Sequence, residues 1–199
     1  LPVNPDATEK QMKTQESLKA ECVSALESLS RNASLWSSIS TDALPSVIQY
    51  LHSSVGDEQG EATKCAALRA VLQIVQVPSH AVSAATAGVV APLAHMLSTR
   101  SASDEVPMLA LEILRVFATN QQARQKARFL ESGLVRSICV ALGKSVTDPS
   151  QEPSDSRADV TFLGLEILLH VQFHVEGDLS MDQILQSPSA SAFLDAVAT

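Results

Sequence analysis

Apolar residues recur three and four positions apart in four stretches of the chain. These are Cys22-Val-Ser-Ala-Leu-Glu-Ser-Leu-Ser, Ala66-Ala-Leu-Arg-Ala-Val-Leu-Gln-Ile-Val, Leu109-Ala-Leu-Glu-Ile-Leu-Arg-Val-Phe-Ala and Leu163-Gly-Leu-Glu-Ile-Leu-Leu-His-Val. The spacing lines one side of a helix: Leu68, Val71, Leu72 and Val75 share a stripe, and Arg69, Gln73 and Gln76 fall opposite it. Aligned on the small residues Ala25, Ala67, Ala110 and Gly164, the copies stand 42, 43 and 54 residues apart, and the first two steps define a repeat period. This register predicts that Leu72 and Leu114 are buried between neighbouring units.

A second kind of segment follows each of the first three stretches: Asp42-Ala-Leu-Pro-Ser-Val-Ile-Gln-Tyr-Leu, Gly88-Val-Val-Ala-Pro-Leu-Ala-His-Met-Leu and Gly133-Leu-Val-Arg-Ser-Ile-Cys-Val-Ala-Leu. The closing residues Leu51, Leu97 and Leu142 are 46 and 45 positions apart. Gly88 and Gly133 suit the positive φ of a sharp turn, while Pro45 and Pro92 suit a first helical turn, where no amide hydrogen is needed. Between the two kinds lies a shorter, more polar helical piece, in His80-Ala-Val-Ser-Ala-Ala-Thr and in Gln121-Gln-Ala-Arg-Gln-Lys-Ala-Arg-Phe-Leu. The long third step reflects Ser145-Val-Thr-Asp-Pro-Ser-Gln-Glu-Pro-Ser-Asp-Ser-Arg, whose prolines and acidic residues predict an exposed loop. Read as a solvated linker it has no further role; read as a recognition segment, phosphate on Ser154 or Ser156 would enlarge its acidity.

A short first helix, a Gly turn, a second helix and a long third helix is an order that resembles the armadillo repeat. Residues 120–142 with 158–172, and 78–97 with 106–118, follow it most closely. A HEAT solenoid has a similar period but lacks the turn before a second short helix. The resemblance implies an all-α, armadillo-type right-handed α-solenoid of about four repeats. It covers residues 1–199 as one region, with units at roughly 12–54, 55–99, 100–145 and 157–199 and the acidic insertion at 145–157. The last stretch, 190–199, corresponds to a second helix whose Phe193, Leu194 and Val197 have no third helix to cover them, which predicts an incomplete end.

Composition sharpens this picture. Only 5 Phe, 1 Trp and 1 Tyr accompany a 45% hydrophobic content, so the core is built from Leu, Val, Ile and Ala, as close helix packing favours. The net charge of −8 argues against nucleic acid as a partner. The longest weakly apolar stretch, 81–97, contains Ser83, Thr86, Gly88, Pro92 and His95 and is a poor membrane span, so no transmembrane segment is expected. Cys22, Cys65 and Cys139 are too far apart for a zinc knuckle or a disulfide framework, which fits a reducing, cytoplasmic setting, with Cys65 and Cys139 as small buried hydrophobes. The opening Leu-Pro-Val-Asn-Pro-Asp lacks an initiator Met, a basic region and an apolar region, and reads as the start of an excised piece of a larger protein, not a signal peptide. Trp36 is expected to pack under the first turn, and the Asn32-Ala-Ser sequon has no consequence in this setting.

Chemistry is sparse. No phosphate loop, nucleophile elbow, zinc-protease pair or dinucleotide fingerprint occurs, so no enzyme activity and no cofactor are expected. Glu166, His170 and His174 are four residues apart on one helix and leave open a metal-dependent activity, although polar residues on an exposed helix face produce the same spacing. His52 and His95 fall near the ends of second helices and read as structural.

What remains is a surface. In armadillo arrays the third helices line a groove, and the resemblance places Glu27 and Arg31, Arg69 and Gln73, Glu112 with Val116, and Glu166 and His170 along it. The Trp and Asn residues with which nuclear-import adaptors of that family clamp basic peptides are absent at these positions, which disfavours that role. The mixed charges imply a protein-binding scaffold for an extended peptide or a helix. The alternative is a structural spacer in a longer solenoid. A narrower resemblance lies in Met181-Asp-Gln-Ile-Leu-Gln-Ser-Pro-Ser-Ala-Ser-Ala-Phe, which is similar to the last armadillo unit of large endosomal J-domain proteins of receptor-mediated endocytosis. It implies endosome association and a part in intracellular protein transport; the His-Pro-Asp tripeptide of J domains is nowhere in the chain.

Overall fold

The computed structural model describes residues 5–32, 43–52, 58–99, 105–129, 133–147 and 155–173. Nine helices and no strand occur among them, in agreement with the all-α expectation. In chain order they are α1 (Pro5–Ser30), α2 (Leu44–His52), α3 (Glu58–Val75), α4 (Pro78–Thr86), α5 (Val90–Ser98), α6 (Glu105–Thr119), α7 (Gln121–Ala127), α8 (Leu134–Thr147) and α9 (Asp155–Phe173). Trp36, His174 and the stretches at 181–193 and 190–199 lie outside the described residues.

Breakers and caps separate the elements where the sequence places them. Gly88 and Gly133 take φ of +89° and +69° just before α5 and α8, the left-handed conformation that a side chain disfavours. Pro45 is the second residue of α2, Pro78 opens α4 and Pro92 sits in the first turn of α5. Asn120 caps α7 by accepting a 3.0 Å hydrogen bond from the Ala123 amide, and its side-chain amide donates to the Pro78 carbonyl at the start of α4, 3.4 Å away. Arg124 in turn donates to the Ala118 carbonyl, 2.7 Å away, at the end of α6.

The helices pair like with like. Long helices meet as α1 with α3, α3 with α6 and α6 with α9; the middle series meets as α2 with α5 and α5 with α8; the short helices α4 and α7 meet each other. Each long helix also packs on the middle helix that precedes it, α3 on α2, α6 on α5 and α9 on α8. The small residues used to align the copies mark that second contact. Ala67 and Ala110 are fully buried, and a methyl group added to Gly164 would stand 2.6 Å from Cδ2 and 3.0 Å from Cγ of Leu142 on α8. Ala25 is exposed, because no middle helix precedes α1 among the described residues. Across the middle series, Ser98 of α5 donates to the Ser137 hydroxyl of α8, 2.9 Å away.

Two expectations need correction. The acidic segment is not a loop over all of 145–157: α8 runs to Thr147 and α9 begins at Asp155. Ser145, Val146 and Thr147 contain no breaker, and Pro149 is the first residue that cannot extend the helix. Leu72 is only partly buried at the core margin, whereas Leu114 is fully enclosed.

The Leu114→Ala change is therefore expected to destabilise by about 2–5 kcal/mol and Leu72→Ala by roughly half as much, measured by denaturant unfolding. For Gly164→Ala the collision with Leu142, at about 1–3 kcal/mol, should outweigh the gain of roughly 1 kcal/mol in helix propensity, giving a lower Tm.

Candidate functional site

Register numbers fix which way each long helix points its side chains. Two residues after the small residue stand Glu27, Arg69, Glu112 and Glu166, and six after it stand Arg31, Gln73, Val116 and His170. These positions lie between the face turned to the preceding long helix and the face turned to the following one, so they border the seams between long helices.

Several of the expected groove residues meet there. The Arg69 guanidinium on α3 lies 3.7 Å from the Glu27 carboxylate on α1, and Arg31, just past the end of α1, approaches the same carboxylate at 3.5 Å. Arg69 also donates to Glu105 in the first turn of α6. Further along, Glu166 on α9 takes Arg115 of α6 and His170 of its own helix, each at 3.9 Å. The result is two polar clusters, Arg31–Glu27–Arg69–Glu105 and Arg115–Glu166–His170, each tying long helices together. Gln73 is exposed and Glu112 half-buried; neither joins a cluster among the described residues.

Glu105 and Arg115 were not among the sequence-derived groove residues. Glu105 is recognisable as an acidic residue in a helix's first turn, where the helix dipole favours it. Its pairing with Arg69 depends on how far α6 is displaced along α3, which periodicity does not encode. Reversal of Arg69 to an acid would bring three carboxylates together.

Cys65 lies one turn before Arg69 and is buried. Burial, reinforced by the Glu105 charge, pushes its thiol up from 9.0 to about 11, while the Arg69 charge opposes the rise. Burial also raises the Cys139 thiol, and Cys22 is exposed. The hydrogen bond to Glu105 raises the Arg69 guanidinium further above its ordinary range.

No group of three metal-ligating side chains converges among the described residues, and His174 lies outside them. No single described helix is long and apolar enough to cross a membrane. The bent pair α4 and α5 passes on length and composition only, and its Ala81, Ala84, Leu93 and Leu97 are buried in the core. No protein-family model matches the chain, and no curated protein matches it.

Replacing Arg69 with Ala is expected to destabilise by about 1 kcal/mol, the modest value reflecting partly exposed partners, and the loss should shrink as salt is raised. A second check uses Cys65. Its raised folded pKa gives stability that is intact below pH 9.0 and lost as pH climbs toward about 11, because the unfolded thiol ionises first. The parent should therefore lose stability more steeply in that window than Cys65→Ala, by up to about 1.4 kcal/mol per pH unit.

Proposed function

We propose that the chain is a non-catalytic scaffold, an armadillo-type right-handed α-solenoid of about four repeats, which holds an extended peptide or a helix of another protein along the edges of its long helices. The observation that carries this reading is the pairing of like helices, α1–α3–α6–α9, α2–α5–α8 and α4–α7, at a nearly constant sequence period. In such an arrangement equivalent positions of successive units form a line, and a peptide laid along it touches several units at once, so weak contacts add. Glu27, Arg31, Arg69, Gln73, Glu112, Glu166 and His170 supply that line. Its charges are mixed, which suits a partner of alternating sign better than a purely basic one.

A second reading, a spacer within a longer solenoid, gains from one observation: Glu27, Arg69 and Glu166 already have protein partners across the seams. Residence on endosomes within a J-domain protein draws its support from residues 181–193 alone.

The test leaves the bridging residues in place. Gln73→Lys with Glu112→Lys should keep the far-ultraviolet circular dichroism and Tm of the parent, while weakening capture of a partner peptide selected on the parent chain by about tenfold. Equal capture by parent and variant would favour the spacer.

A further inference from the structure

Phe162, Leu165 and Leu169 of α9 are 68%, 39% and 49% exposed, a contiguous apolar stripe on one side of the helix. They stand two before, one after and five after Gly164. The same register positions on α3 are Cys65, Leu68 and Leu72, and on α6 Met108, Leu111 and Arg115. There they are turned to the following long helix, as Cys65 beside Glu105 and Arg115 beside Glu166 demonstrate, and Leu68 and Leu111 are fully buried. The α9 stripe is thus the continuation of an interface that successive long helices already form within the molecule.

The opposite faces reveal what fits it. By helical spacing, Val106, Leu109, Ile113 and Phe117 stand on α6 opposite Met108, Leu111 and Arg115, and Val160, Leu163, Ile167 and Val171 stand on α9 opposite its stripe. Both have branched or aromatic apolar residues at positions 0, 3, 7 and 11. In α1 the equivalent residues are Glu21, Ser24, Ser28 and Asn32, all exposed, so α1 presents a polar face where a preceding long helix would sit. On this side α1 is polar, whereas the outer side of α9 is apolar.

We infer that the exposed face of α9 docks an amphipathic helix of a partner polypeptide that presents apolar residues at this 0, 3, 7, 11 spacing. A second copy of the chain cannot offer its own stripes, because those of α6 and α9 are enclosed against the helices before them. The exposed apolar residues of its α1, Leu18, Cys22, Ala25 and Leu29, are spaced 0, 4, 7 and 11 with Glu21 at the 3 position, so α1 does not offer this spacing either. Residues 174–199 contain no run with branched or aromatic apolar side chains at all four positions. This inference rests on the observed helix pairing and is independent of peptide binding along the charged edges.

The probe is a synthetic peptide with the α6 sequence, residues 105–119, titrated into the full chain and followed by fluorescence anisotropy. Saturable binding is expected, weakened at least about tenfold by Phe162→Asp with Leu165→Asp in the chain, and to a similar degree by Leu109→Asp with Ile113→Asp in the peptide. As a second measurement that avoids buried-charge artefacts, Leu165→Cys in a Cys22→Ser background should alkylate rapidly alone and slowly with the peptide bound. Three results would overturn the inference: equal or absent binding by parent and variant, a thiol at 165 already protected without peptide, or self-association of the parent abolished by Phe162→Asp, which would assign the face to a second copy.

Discussion

Each inner long helix has neighbours on most of its circumference, and this crowding dictates the side chains it can carry. Toward the preceding middle helix it needs a residue with almost no side chain, supplied by Ala67, Ala110 and Gly164; at Gly164 even a methyl group would collide with Leu142. Close packing there keeps water from the apolar side chains of both elements, so that dispersion and exclusion of water act together. The two seam faces must then be apolar as well, which leaves a narrow edge for polar groups. That edge is where Arg69 and Glu166 are found.

Charge on the edge follows from this geometry. A side chain long enough to span a seam meets the helix opposite, so Arg69 bridges Glu27 and Glu105 and Arg115 reaches Glu166. Such bridges contribute little individually, since they remain partly exposed, but they favour one longitudinal register of neighbouring helices over others. Cys65, buried beneath Arg69 and Glu105, shows the boundary between edge and core within a single turn. Its thiol is held protonated by the dry side of that boundary, while Arg69 remains charged on the wet side.

Much of the helical arrangement was legible in the sequence because it rests on short-range rules. Gly88 and Gly133 mark left-handed turns, Pro45 and Pro92 mark helix starts, and the small residues mark close approach, each a property of one or two neighbouring positions. Less was legible where two distant elements slide or tilt against each other. Glu105 lies 36 residues after Arg69, and nothing in the periodicity states that it meets Arg69 where Glu112 does not. Leu72 shares its stripe with Leu68, yet Leu68 is fully buried and Leu72 only partly, a difference that spacing along one helix does not encode. The segment 145–157 differs for a simpler reason: Ser145 and Thr147 share the polar composition of the prolines' surroundings, although neither ends a helix by itself.

The most direct test of the account is a set of distances between spin labels on successive long helices, at positions 28, 73, 119 and 169 of α1, α3, α6 and α9, with Cys22 replaced by Ser. Helices laid side by side in one series require the distance from α1 to rise by roughly 10 Å with each helix passed, through α3 and α6 to α9. An α1–α9 distance as short as the α1–α3 distance would mean a closed bundle, and would contradict the account.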